Sequence, residues 1–358
     1  MTTTSYVIID GTRIGPGEPP YVIAEMSGNH GGKLETALAL IDAASAAGAS
    51  AVKLQTYTAD SLTIDHDGPG FRLDEGLWAG RTLYDLYQEA HTPWDWHAAL
   101  FARARERGIT VFSSPFDDAA VALLEELDCP AYKIASAEIV DLVLISAVAR
   151  TGKPVLISTG MAGISDIEAA VKAARAAGAQ QVVLLHCVSG YPTPAADAHL
   201  GTMAHLEAAF GVPVGFSDHT LGIGVSVAAA ALGAAVIEKH FCLDRADGAV
   251  DSAFSLEPAE LAQLVRGVAD AAAASGGPVY GAAPSETPML GLRRSLYVVR
   301  DMVAGEAFTP ETVRSIRPSG GLPPVELPAV LRGVAARPLR RGTPLRREDI
   351  RYDTTPEA

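Results

Sequence analysis

Residues 212–241 read VPVGFSDHTLGIGVSVAAAALGAAVIEKHF, and this stretch decides the fold. Two short apolar segments, 212–216 and 234–237, flank an Ala- and Val-rich segment whose composition predicts one helix. The pattern therefore predicts a strand, a helix and a parallel strand, with His219 just past the first strand and His240 just past the second. The carboxyl ends of barrel strands build active sites, and two imidazoles there can share a divalent cation. Two unrelated core or capping histidines are the alternative.

The repeat continues along most of the chain, where short apolar segments alternate with longer segments of helical period. The predicted strands are 21–26, 51–56, 110–113, 132–135, 155–158, 182–186, 212–216 and 235–239. The predicted helices are 34–47, 94–107, 119–127, 142–150, 164–177, 200–210, 223–232 and 258–275. Eight such repeats match an α/β fold of the (β/α)8 TIM-barrel type. A doubly wound open sheet is disfavoured, because no Gly-x-Gly-x-x-Gly turn follows the first strand.

The chain is divided into a large body and a small module of different composition. A Gly- and Pro-rich break at 275–288 ends the body. Residues 58–92 form an aperiodic insertion that contains several aromatic residues, and we expect it to fold over the barrel mouth. Four segments are predicted: a barrel at 1–278, a linker at 279–290, a small β-rich domain at 291–352 and a tail at 353–358.

The composition excludes several classes of protein. With 358 residues, 48% of them hydrophobic, the chain can bury a large core. A formal charge of −14 argues against nucleic acid as a partner, although residues 291–351 carry twelve arginines and no lysine. Three unevenly spaced cysteines indicate reduced thiols and a cytoplasmic protein. We expect no secretion signal and no membrane span, because charged residues interrupt the longest apolar stretches.

Polar side chains collect where the predicted strands end. Lys53 and Lys133 belong to two of these strands, where an ammonium group among hydroxyls would bind a small phosphorylated anion. Glu25 ends a buried strand, where an unpaired carboxylate is costly, so we expect a function for it. Glu238 and Lys239 point to opposite sides of the last strand, so only one of them faces the mouth.

Several longer phrases resemble the sialic acid synthase family in their order along the chain. They are IAEMSGNHGG (23–32), AVKLQTYTADSLT (51–63), FSSPFD (112–117), YKIASAEI (132–139), LISTGMA (156–162), HCVSGYPTP (186–194), GFSDHTLG (215–222) and VIEKHF (236–241). Residues 293–322 resemble the antifreeze-like SAF domain that closes these enzymes. The resemblance implies a (β/α)8 barrel followed by a small β-rich SAF domain.

Within the family, the chain most resembles the pseudaminic acid synthases. The supporting phrases are GLWAGRTLYDLYQEAHTPWDWH (76–97), YKIAS (132–136) and DSAFSLEP (251–258). Ser189 stands where the neuraminate enzymes commonly have asparagine, which fits a different sugar. N-acetylneuraminate synthase and legionaminate synthase remain the alternatives.

The resemblance implies a C–C bond-forming transferase that joins phosphoenolpyruvate and water to an open-chain N-acetylated hexose, here a 2,4-diacetamido-2,4,6-trideoxyhexose. The implied catalytic residues are Glu25, His219 and His240, and the two histidines would hold Mn²⁺, or Mg²⁺ or Co²⁺ in its place. The implied phosphoenolpyruvate ligands are Lys53, Ser113, Ser114, Lys133, Ser136, Ser158, Ser189 and Ser217. The implied sugar ligands are Gln55, Glu138, Tyr191, Asp251 and Arg317.

The family's quaternary structure implies a domain-swapped homodimer, in which Arg317 of one subunit reaches the sugar of the other. Two rival functions remain open from the sequence. One is a Schiff-base aldolase on the same barrel, with Lys133 as the nucleophile. The other is a non-catalytic carbohydrate-binding protein built on the C-terminal module.

Overall fold

The computed structural model describes residues 6–352, and the chain divides into two compact units with the boundary after Gly276. The predicted tail at 353–358 lies outside the described residues. Residues 279–290, predicted as a linker, include part of a 3-10 helix at Pro284–Leu292. Within the described chain, no helix has the length and apolar character that a bilayer span requires.

The first unit is built on a closed barrel of eight parallel strands. In chain order, the strands of this unit are β1 (Val7–Ile9), β2 (Thr12–Ile14), β3 (Tyr21–Glu25), β4 (Ala51–Thr56), β5 (Thr110–Pro115), β6 (Tyr132–Ile134), β7 (Val155–Ser158), β8 (Val182–Cys187), β9 (Val214–Asp218) and β10 (Val236–His240). Strands β3 to β10 form the barrel in sequence order, and β10 pairs with β3 to close it. The predicted (β/α)8 barrel is therefore confirmed.

Helices follow the barrel strands and cover their outer faces. They are α1 (Leu34–Ala47), α2 (Ala59–Leu62), α3 (Leu83–Ala90), α4 (His97–Arg107), α5 (Asp118–Glu126), α6 (Leu142–Ala149), α7 (Ile164–Ala176), α8 (Thr202–Phe210), α9 (Gly224–Ala231) and α10 (Pro258–Ala274). Eight of them match predicted helices. The other two, α2 and α3, lie in the insertion at 58–92 and are too short to show a clear period.

Local sequence signals set the ends of these helices. The Asp117 side chain accepts a hydrogen bond from the Ala120 N–H and so caps the start of α5. At the end of α1, Gly48 adopts a left-handed conformation with φ of 84°, which costs a residue without Cβ little. The start of α5 and the end of α1 are thus set by residues of their own βα units.

The antiparallel hairpin β1–β2 lies at the amino end of the barrel and was not predicted. Thr110, the first residue of β5, donates from Oγ1 to Asp10 Oδ2 at 3.0 Å, and the Ile8 N–H donates to Gln181 Oε1 at 2.6 Å. Ile9 and Ile14 are fully buried in the core of this unit. The hairpin therefore covers the amino end, and the opposite, carboxyl end remains as the mouth.

The second unit is small and β-rich, as predicted. It contains β11 (Ser295–Val298), β12 (Val313–Ile316), α11 (Leu327–Val330), β13 (Val334–Ala335) and β14 (Ile350–Arg351). β11 pairs antiparallel with β12, and β13 with β14. Its own core is centred on apolar side chains that include Leu296, Val298, Met302, Phe308 and Leu345. Burying each of these side chains contributes roughly 1.5–3 kcal/mol, so the unit has a core independent of the barrel.

Candidate active site

The inner face of the barrel carries polar side chains near the carboxyl ends of its strands. Paired residues of neighbouring strands share a face, and the register pairs Glu25 with both Lys53 and His240. The polar and thiol side chains on this inner face are Glu25, Lys53, Gln55, Ser114, Lys133, Ser158, Cys187, Ser217, Glu238 and His240. The structure thus brings most of the predicted site residues to one mouth.

Two lysines and two carboxylates form a buried cluster in the barrel centre. Lys53 Nζ lies 2.9 Å from Glu25 Oε2 and 3.7 Å from Glu238 Oε2. Lys133 Nζ lies 3.9 Å from Glu238 Oε1, which also accepts a 2.9 Å hydrogen bond from Ser217 Oγ. Both lysines are less than 5% exposed. Charges this deeply buried persist only when they are paired, so the carboxylates hold the ammonium groups in the mouth.

The two carboxylates differ in how readily they bind a proton. Burial raises the pKa of Glu25 to about 7, although the Lys53 ammonium opposes the shift. Burial also disfavours a charge on Glu238, but Lys133 and Lys53 outweigh it and hold the pKa of this carboxyl below its ordinary value. Near neutral pH, Glu25 can therefore accept or release a proton while Glu238 stays ionised.

Hydroxyl groups form a small cradle beside Lys133. The Gly160 N–H donates to Ser136 Oγ at 3.2 Å. A Cβ added to Gly160 would lie 2.7 Å from Ser136 Oγ and closer still to Ser189 Oγ, so only glycine leaves both hydroxyls in place. Ser158 Oγ is buried and has no hydrogen-bond partner among the described residues. Hydroxyls and an ammonium group in this arrangement suit an anion.

His219 and His240 lie next to each other at the mouth, with their ring centroids 5.3 Å apart. His219 Nδ1 lies 2.9 Å from the Val188 carbonyl oxygen, which leaves Nε2 as the free nitrogen of a neutral ring. His240 Nδ1 is buried without a hydrogen-bond partner among the described residues, 3.7 Å from Asp251 Oδ2. Burial, with His219 and Lys53 adding to it, lowers the pKa of His240, which favours the neutral form that binds metals.

The pair fits a divalent cation in its donor chemistry, because each imidazole has a ring nitrogen available. Burial disfavours a charge on His219, but Cys187 and the Val188 carbonyl outweigh it and raise the pKa of this ring, so a cation would displace a proton there. Across residues 6–352, no group of three or more His, Cys, Asp or Glu side chains is arranged to hold a metal ion. His219 and His240 would therefore supply two ligands, with the remaining positions open to water or substrate oxygens.

A cavity of about 250 Å³ opens beside the histidines. Gln55 and Asp251 line it, and Gln55 Nε2 donates to Glu25 Oε1 at 2.7 Å. Tyr191 also lines it, and its ring lies 4.4 Å from the His219 ring, centroid to centroid, with the two planes tilted by 48°. These predicted sugar ligands are brought together. Glu138 lies at the same end of the barrel, where burial raises the pKa of its carboxyl.

One predicted ligand of the barrel unit, Ser113, is not brought to the mouth with the others. Ser113 alternates with Ser114 along β5 and points outward, where its Oγ lies 2.7 Å from Thr56 Oγ1. Ser114 points inward, with its Oγ 3.4 Å from Lys53 Nζ. Arg317 is an exposed residue of the second unit, and its position is described only within that unit.

Comparisons with known proteins identify the family. The model of the NeuB family matches residues 40–280, and that of the SAF domain matches residues 293–351. The chain belongs to the NeuB family. The predicted sialic acid synthase relationship and the predicted C-terminal SAF domain are thereby confirmed.

Relatives of this NeuB-family chain include synthases of two nonulosonic acids. It is 40% identical over 342 residues to a pseudaminic acid synthase of Helicobacter pylori, covering 93% of this chain and 98% of the relative. It is 36% identical over 305 residues to an N,N'-diacetyllegionaminic acid synthase of Campylobacter jejuni, covering 84% and 91%. The matches span nearly the full length of both relatives.

Solved structures show the same fold. A crystal structure of N-acetylneuraminic acid synthetase from Leptospira borgpetersenii, in complex with citrate, has a TM-score of 0.72 at 32% identity, covering 80% of this chain and 95% of that one. The spore coat polysaccharide biosynthesis protein SpsE of Bacillus subtilis has a TM-score of 0.67 at 32% identity, covering 98% and 100%.

The NeuB-family site contains one central residue that the sequence did not single out. Glu238 contacts both buried lysines, and its position two residues before His240 on one strand was the signal, because residues two apart share a face. Lys239 faces outward instead, with Nζ 2.9 Å from Asp218 Oδ2 and a second bond to the Thr220 carbonyl. Ser226 Oγ donates to the same Asp218 oxygen at 2.5 Å. Lys239 therefore ties β10 to the end of β9 and to the turn that follows β9.

Proposed function

We propose that the protein condenses phosphoenolpyruvate with an open-chain 2,4-diacetamido-2,4,6-trideoxyhexose and water, forming pseudaminic acid and inorganic phosphate. The observation that carries the proposal is the pairing of two buried lysines, Lys53 and Lys133, with two neighbouring imidazoles in one barrel mouth. One pair suits an anion and the other suits a cation that activates an aldehyde. The 40% identity to a pseudaminic acid synthase supports the choice of sugar.

The phosphoenolpyruvate would occupy the lysine and hydroxyl side of the mouth. Lys53 and Lys133 would bind its phosphate and carboxylate groups as point charges, and the unpartnered Ser158 hydroxyl would gain an acceptor. The remaining ligands in this proposal are Ser114, Ser136, Ser189 and Ser217. Ser113 is left out because it points away from the barrel interior.

The bond-forming step joins carbon 3 of phosphoenolpyruvate to the aldehyde carbon of the sugar. A divalent cation held by His219 and His240, Mn²⁺ with Mg²⁺ or Co²⁺ as substitutes, would supply polarisation of the aldehyde oxygen. As this bond forms, the aldehyde oxygen gains the electron pair of its C=O bond and carbon 2 becomes electron-deficient. Water adds to carbon 2, and phosphate leaves with the electron pair of its C–O bond. Of the two protons of the water, one ends on the former aldehyde oxygen and the other on the phosphate. Glu25 lies beside Lys53 and takes the proton that the water releases, which its pKa of about 7 permits.

The sugar would lie in the cavity next to the histidines. Gln55 and Asp251 would bind its hydroxyl and amide groups at the end near His240. Tyr191, whose ring lies beside that of His219, would hold the chain of carbon atoms against the metal side, and Glu138 would orient the sugar from the β6 end of the mouth. These positions keep the aldehyde between the lysine cluster and the imidazoles.

The test is release of inorganic phosphate from phosphoenolpyruvate, measured with the full-length protein and each candidate hexose. The 2,4-diacetamido-2,4,6-trideoxyhexose should be preferred over N-acetylmannosamine by kcat/KM, and EDTA should abolish turnover until Mn²⁺ is restored. His219→Ala and His240→Ala should each lower kcat by orders of magnitude without unfolding the protein. Preference for N-acetylmannosamine or for a legionaminate precursor would reassign the sugar.

The rival functions give different results in the same experiments. A Schiff-base aldolase would be trapped on Lys133 by borohydride in the presence of pyruvate and would survive EDTA. A carbohydrate-binding protein would bind the hexose but release no phosphate. Phosphate release without borohydride trapping therefore separates the proposed condensation from both.

We further propose that the protein acts in the cytoplasm as a domain-swapped homodimer, with Arg317 completing the site of the partner subunit. The three cysteines are free thiols, which suits a reducing compartment. Arg317 is exposed, and the chain after it is held to β11 because Ser295 Oγ donates to the Pro318 carbonyl at 3.0 Å. Tyr280, near the start of this unit, is 96% exposed and would gain from burial in a dimer.

The dimer proposal has its own test. Arg317→Ala should raise KM for the sugar far more than KM for phosphoenolpyruvate. Mixing Arg317→Ala chains with His240→Ala chains should restore part of the activity, because one site of each hybrid dimer would be complete. A fully active monomer, or verified hybrids without activity, would overturn the proposal.

A further inference from the structure

The cavity beside the histidines has two chemically different halves. Its polar half, next to His240, is formed by Ser27, Gln55, Tyr191, His240 and Asp251. Its other half is formed by Tyr57, Leu73, Trp78, Leu83, Leu86, Tyr87, Ala90 and Val250. Among the described residues that line this second half, none carries a charge or a side-chain amide. We call this second half the insertion wall, because most of it comes from residues 58–92.

The insertion that supplies the wall has a defined structure of its own. The backbones of residues 71–73 and 80–83 are hydrogen bonded: the Leu73 N–H donates to the Arg81 carbonyl at 2.9 Å, and the Leu83 N–H donates to the Phe71 carbonyl at 2.8 Å. Thr82 caps α3, which carries Leu83, Leu86 and Tyr87. The wall is therefore presented by a folded hairpin and helix.

The wall is also fixed to the rest of the barrel. Trp78 Nε1 donates to the Val250 carbonyl at 2.9 Å, which joins the insertion to the loop after β10. The Trp78 ring lies 5.5 Å from the Tyr191 ring, centroid to centroid. Tyr57 makes an edge contact with Tyr87 at 6.0 Å. Because the indole N–H is already used, Trp78 presents only its apolar surface to the cavity.

We propose that the insertion wall is the specificity determinant for the end of the hexose farthest from the aldehyde, and that it selects a methyl group over a hydroxymethyl group at carbon 6. This inference rests on the proposed function. With the aldehyde beside His240, an extended six-carbon chain places its last carbons among Leu83, Leu86 and Tyr87. A methyl group gives up no hydrogen bond when it enters this largely apolar surface. A hydroxyl group would give up its hydrogen bonds to water there, which costs free energy.

Helix α3 offers a matched pair of tyrosines for the test. Tyr87 lines the cavity. Tyr84 is on the same helix but is not among the residues that line it, and its hydroxyl lies 3.4 Å from Asp60 Oδ2. Truncation of Tyr87 should therefore affect selectivity, and truncation of Tyr84 should not. Leu83, the first residue of α3, tolerates a serine because that residue type suits a helix start.

The experiment compares two hexoses that differ only at carbon 6: the 2,4-diacetamido-2,4,6-trideoxyhexose and its 6-hydroxy counterpart. For wild type we expect kcat/KM to favour the deoxy sugar by about ten-fold or more. Leu83→Ser and Tyr87→Ala should each lower that ratio about ten-fold and leave KM for phosphoenolpyruvate unchanged, whereas Tyr84→Ala should keep the wild-type ratio. Thermal melts of each variant show that it is folded.

The outcomes separate this inference from the function on which it rests. Absence of phosphate release from wild type with every hexose would overturn the proposed function. Normal turnover with an unchanged ratio in folded Leu83→Ser, or an equal change in Tyr84→Ala, would overturn the role of the insertion wall. A ratio near one in wild type would do so as well.

Discussion

Replacement of Lys239 by methionine tests how strand β10, which carries His240, is held to the end of β9, which His219 follows. Lys239 and Asp218 are each about 1% exposed, and their charged atoms are 2.9 Å apart. At an effective dielectric constant of about 20, their attraction is roughly 6 kcal/mol. Desolvation of both groups offsets much of it, but removing only the lysine leaves the buried charge of Asp218 without a counter-charge, with hydrogen bonds from the neutral Ser226 hydroxyl and Thr220 N–H. We therefore expect Lys239→Met to lower the free energy of unfolding of the barrel by about 3–5 kcal/mol.

Urea denaturation followed by tryptophan fluorescence reports the unfolding of the barrel unit, where Lys239 lies. The three tryptophans, Trp78, Trp94 and Trp96, all belong to the barrel unit. Lys153→Met is the matched control, because Lys153 pairs with Glu125 at the surface and such pairs contribute about 0–1 kcal/mol. If Lys239→Met costs no more than Lys153→Met, the reasoning about buried pairing is wrong.

Three further perturbations follow from the site and its surroundings. Gly160→Ala should raise KM for phosphoenolpyruvate by about ten-fold or more, because a Cβ there displaces the hydroxyls of Ser136 and Ser189. Gly163→Ala is the control: its Cβ would meet only Asp166, at 3.5 Å, so KM should be unchanged. Glu238→Gln leaves Lys53 and Lys133 without their shared carboxylate, so an added anion can take its place. Inorganic phosphate should therefore raise the melting temperature of this variant more than that of wild type. An equal shift in both proteins would contradict the pairing. Burial lowers the pKa of His30 to about 4, so as the pH falls the unfolded chain protonates this histidine before the folded protein does. The contribution of His30 to the free energy of unfolding should therefore be complete above about pH 6.5 and should decrease toward pH 4 by up to ~1.4 kcal/mol per pH unit. His30→Gln should flatten this pH dependence, measured by urea denaturation at several pH values.

The barrel was predictable because its signal is repeated and local. Each strand of β3 to β10 is an apolar segment followed by a segment of helical period, and eight such repeats leave few alternative folds. The hairpin β1–β2 was missed because its strands are only three residues long. Its register depends on contacts with Thr110 and Gln181, which are distant in sequence.

The site was predictable as a set of strand ends but not in the direction of every side chain. Ser113 and Ser114 are adjacent, so only one can face inward, and the choice depends on the pairing of β5 with β4. The same alternation separates Glu238, which faces the lysines, from Lys239, which faces Asp218. The insertion wall could not be anticipated because its residues come from short elements placed by tertiary contacts.

Closure of the barrel has a consequence for when the site can exist. Glu25 and His240 are register partners across the β3–β10 junction, yet they lie on the first and last strands of the barrel. Contacts between such distant segments form late, because the whole intervening chain must already be ordered. During synthesis on the ribosome, the partial chain can therefore fold several βα units but has no complete mouth. The Glu25 carboxylate and the two imidazoles come together only when the final strand is added.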